Sequence, residues 1–129
     1  KGLFAESTLK RWRSCTKYQL VDLWAQQVNY EEASNVDNDT QEARFQETKA
    51  RVANFPVVFH RMYTSEAAKL IPDGSLDYVY VDARHDYYGT VHPGAVRGAV
   101  EDFVRGKGLD VVATLKDRWP SFMVVKPPC

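Results

Sequence analysis

Cysteine is scarce in this sequence: among 129 residues there are two, Cys15 in a polar stretch and Cys129 at the last position. So few thiols exclude a disulfide framework and a cysteine metal cluster, and two free thiols are the plain reading. An excess charge of one sign is lacking as well. Seventeen Lys and Arg balance seventeen Asp and Glu, so no net field draws the chain to nucleic acid or to an anionic membrane, which leaves only a local basic patch to do so. No apolar run approaches the ~20 residues that a membrane span requires, and the opening Lys1 begins no signal-peptide pattern. Neither a nucleic-acid partner nor a membrane span is expected, and the expected location is intracellular, in the cytoplasm or an organelle. Repeats and low-complexity tracts are missing too.

What is present is the composition of an ordinary folded protein, with 44% hydrophobic, 12% aromatic and 26% charged residues. Residues 1–129 suit one domain with a core of its own. The first residue is not methionine and the chain opens directly in a helical pattern, so a preceding stretch is expected to be missing.

Leu3, Phe4, Leu9 and Trp12 have the spacing of a short amphipathic helix, with Arg11 and Arg13 at its end. Residues 18–24 read as a strand, carrying Asp22 near its carboxyl end, and 29–39 as a polar surface loop. Asp39-Thr40-Gln41-Glu42 has capping-box spacing, which predicts a helix through Phe55 with Phe45, Val52 and Phe55 facing inward. Pro56 stops it, and residues 57–62 form a second strand. Ser65 is placed to cap a short helix through Leu70, and Pro72-Asp73-Gly74-Ser75 is a turn. The clearest strand signal is Leu76-Asp77-Tyr78-Val79-Tyr80-Val81-Asp82, apolar enough for burial on both faces, with polar residues gathering only after it.

Pro93 is suited to start a helix whose Val96, Ala99, Val100, Phe103 and Val104 form one buried stripe, ended by Gly106 and Gly108. Residues 109–115 and 122–126 read as two antiparallel strands. Alternating strands and helices imply an α/β fold, a mostly parallel sheet covered by helices with an antiparallel hairpin at the C-terminal end.

In this arrangement the residues resemble the class I S-adenosylmethionine-dependent methyltransferases, particularly the small-molecule branch with a D-x-x-H-D-Y-like motif after the fourth strand. Gly2-Leu3-Phe4-Ala5 looks like the end of the glycine-rich first motif, acidic-x-G-x-x-x-G-x-F-A, where the backbone approaches the cofactor closely. The resemblance implies that Asp22 accepts hydrogen bonds from the ribose hydroxyls and that Thr64 and Ser65 lie near the adenine. Asp82-Ala83-Arg84-His85-Asp86-Tyr87 carries the most specific match. There it implies a divalent metal such as Mg on Asp82, and His85 as the base that removes a hydroxyl proton before methyl transfer. His60 and His92 belong to no such motif and read as structural.

The V-R-G-A-V-E-D-F helix and the W-P-S-F-M-V-V-K-P strand resemble the family's last helix and terminal hairpin. That hairpin sets the pattern apart from nicotinamide-dependent oxidoreductases, the weaker third reading. Two parts of the family pattern have no counterpart: the first strand with most of its glycine loop, and the fifth strand with its helix, which would fall between Tyr87 and Pro93. In the family's sheet order, 3-2-1-4-5-7-6, both strands flank the fourth. The expectation is therefore a Rossmann-like methyltransferase sheet lacking its first and fifth strands, with a break in the chain near Tyr88 to Val91. Its function would be methyl transfer to a small-molecule acceptor, at oxygen. The alternative is a non-catalytic scaffold or subunit whose sheet a protein partner completes.

Overall fold

The computed structural model describes residues 1–82, 95–113 and 122–125, which fall in two units, Lys1–Tyr80 and Val81–Cys129. The first unit begins with α1 (Leu3–Arg11), where Ala5 and Leu9, four residues apart, turn inward and are buried. Lys10 and Arg11 occupy its last turn, where cations oppose the negative end of the helix dipole. Lys10 also reaches back to Glu6 at 2.6 Å. After α1 come β1 (Tyr18–Val21), α2 (Asn38–Arg51) and β2 (Val57–His60).

β1 and β2 pair in parallel, with Tyr18 opposite Val57 and Val21 opposite His60. Since side chains alternate along a strand, Tyr18, Leu20, Val57 and Phe59 share one face, and all four pack against the buried cluster of Ala5, Leu9 and Val52. The core is therefore a helical layer on one face of a two-stranded parallel sheet. Beyond β2 follow α3 (Thr64–Ala67), a single 3₁₀ turn (Ala68–Leu70) and the expected turn, in which the Ser75 amide donates to the Pro72 carbonyl at 3.3 Å.

In the second unit, α4 (Ala95–Val104) is followed by β3 (Asp110–Ala113) and β4 (Phe122–Val125), which pair antiparallel as a C-terminal hairpin. The described residues thus form a mixed α/β chain with one small parallel and one small antiparallel sheet. No helix among the described residues is long and apolar enough to cross a membrane.

Several elements depart from the sequence reading. Asp37, not Asp39, caps α2: its Oδ1 accepts the Thr40 amide at 2.8 Å and its Oδ2 the Thr40 hydroxyl at 2.8 Å. α2 ends at Arg51 rather than running to Phe55, although Val52, its cap, is the buried residue expected there. β1 stops at Val21 because the chain turns at Trp24, a non-glycine residue at φ 43, and β2 stops at His60. Along α4, Phe103 is exposed instead of buried, with the Lys107 ammonium over its ring at 3.7 Å.

The largest correction concerns residues 76–82, which form no strand. A β-rich segment becomes a strand only beside another that takes up its backbone bonds. Among the described residues β1 pairs only with β2, and β3 only with β4. The expected burial fails with the pairing, leaving Val79 61% and Val81 71% exposed. Tyr78 and Tyr80 instead lean on the outer side of α1, Tyr80 stacking on Phe4 at 4.4 Å and Tyr78 meeting Trp12 edge-on at 6.3 Å.

Candidate functional site

Asp22 is the first residue beyond β1, and its amide still donates to the His60 carbonyl at 3.2 Å, which extends the ladder by one bond. Its side chain is exposed, and Oδ1 accepts the Trp24 amide at 3.2 Å. That bond closes a turn two residues long and lets Trp24 adopt its positive φ. The indole is then buried against Phe45 at 4.8 Å and Phe59 at 5.9 Å. Arg61, the residue after β2, closes the cluster: it donates to the Trp24 carbonyl at 3.0 Å, lies over the Phe45 ring at 4.9 Å and pairs with Glu42 at 2.6 Å. Asp22 therefore stands beside this aromatic cluster, and a carboxylate that accepts one amide through Oδ1 has further lone pairs with which to accept.

The start of α1 lies close by. Burial lowers the pKa of the Lys1 α-amino group, while the charges of Glu47 and then Asp22 raise it, so both carboxylates are within electrostatic reach of this corner. At the other end of the same pair of elements, burial raises the pKa of Tyr18 and a hydrogen bond with Thr8 lowers it.

Gly2 adopts φ 68, and a Cβ there would lie 2.8 Å from Thr48 Cγ2. Thr48 is itself buried in α2, its hydroxyl bonded to the Arg44 carbonyl at 2.7 Å. Glycine at this position is accordingly required by backbone conformation and by packing on α2. Ser65 is exposed and lies inside α3, so the expectation that it caps the helix is corrected. The N-cap is Tyr63, still extended at φ -62 and ψ 146, whose amide donates to Glu66 at 3.4 Å.

Asp82 is exposed and belongs to the second unit. His85, with Asp86, Tyr87 and the joint before Pro93, lies outside the described residues. No group of three His, Cys, Asp or Glu able to hold a metal ion occurs among the described residues. They do not by themselves supply a metal site. A groove of about 540 Å³ lines the outer side of α1 along Phe4, Ser7, Thr8, Arg11 and Trp12, and neither Gly2 nor Asp22 borders it.

Sequence reasoning missed Thr48, Asp37 and Arg61. Asp37 lies three residues before Thr40, a capping signal that competes with the one chosen. Arg61 immediately follows an apolar strand, but its partners Trp24 and Glu42 come from distant elements. In comparisons with known proteins, no family model matches the chain, and neither a curated protein nor a solved structure matches it.

Proposed function

We propose that this chain carries the cofactor-binding corner of an S-adenosylmethionine-dependent methyltransferase that acts on oxygen of a small molecule. The observation that supports this reading is the position of Asp22: an exposed carboxylate one residue past a strand of a parallel pair, its charge reaching the α-amino group just before Gly2. A carboxylate at such a corner can accept hydrogen bonds from two neighbouring ribose hydroxyls. Ser65, exposed after β2, would meet the adenine.

When bound, S-adenosylmethionine supplies a sulfonium methyl, and attack on it is an in-line displacement. The protein then has to position the acceptor, exclude water and take up the hydroxyl proton. In this proposal His85 takes that proton and Asp82 stands nearby, both roles resting on the D-x-x-H-D-Y resemblance.

A second reading, a non-catalytic scaffold or subunit whose sheet a partner completes, is favoured by residues 76–82. They form no strand and leave apolar side chains exposed. Calorimetric titration of the 129-residue chain with S-adenosylhomocysteine separates the two. The methyltransferase reading expects binding that Asp22→Ala weakens by roughly 1.5 to 3 kcal/mol, about 10- to 100-fold, because charge-assisted bonds are lost. Absence of binding, or equal affinity in the variant, would overturn the cofactor role and leave the scaffold.

A further inference from the structure

We draw no further inference here: the strongest candidate, the apolar surface patch of Phe4, Trp12, Tyr78 and Tyr80 along the outer side of α1, is an unpartnered face, and nothing in the structure shows what covers it.

Discussion

Gly2 lies so close to Thr48 that a Cβ would stand 2.8 Å from its Cγ2, which makes this glycine a packing device whatever else it does. Gly2→Ala should cost about 1 to 3 kcal/mol, combining the left-handed backbone with the approach to Thr48. In chemical denaturation, Thr48→Ser, which removes Cγ2, should recover part of that loss in the double variant; additive losses would sink the contact explanation.

Glu6 gives a residue-level test of electrostatics. Hydrogen bonds from Lys10 and then Arg51 hold its carboxyl below the ordinary range. Because its folded pKa is lowered, its contribution is complete above the unfolded value near ~4.3 and is lost as pH falls through the folded one. The stability of Glu6→Gln should therefore fall less steeply than wild type below about pH 5, and matching acid limbs would count against the pairing. At this scale the sequence shows Gly2 and Asp22 but not the reasons for them. Thr48 and Trp24 act on them through contacts that only folding creates.

At the level of elements, the first half of the chain is the readable part. α1, β1, α2 and β2 all appear in the expected order because each carries its own signals: inward residues at helical spacing, a cap, a proline stop, and short apolar runs of period two. The boundaries were less legible, since neighbouring polar residues compete as caps and a turn can interrupt an apolar run, as it does at Asp22. The strand expected at 76–82 shows the limit of local signals, because a strand's existence depends on a neighbour. Val52, buried to 1% exposure between α2 and the sheet, should be the most sensitive position of this layer. Val52→Ala is expected to cost about 2 kcal/mol by thermal or denaturant unfolding, from two lost carbons and the cavity they leave. A cost below about 0.5 kcal/mol, the level of an ordinary surface change, would mean that the core lies elsewhere.

For the whole molecule, the mixed α/β class was legible from the alternation of elements and from the β-rich runs that became the hairpin. The residues expected to form a site are spread over the chain: Gly2 and Asp22 belong to the first unit, Asp82 to the other, and His85 lies outside the described residues. What integrates a site of this kind is pairing between strands far apart in sequence, which no local pattern records. The exposed segment at 76–81 also has a colloidal consequence. The protein has a formal net charge of zero at pH 7, so long-range repulsion between molecules is weak where this sticky surface is presented. Loss of monomer from solution should then be second order in concentration and fastest near neutral pH, slowing as the pH is moved about two units either way while the fold persists. Val79→Lys, at a position with little to lose in the folded state, should slow it further. If light scattering shows the same rate for both proteins across that range, the clumping surface is some other part of the molecule.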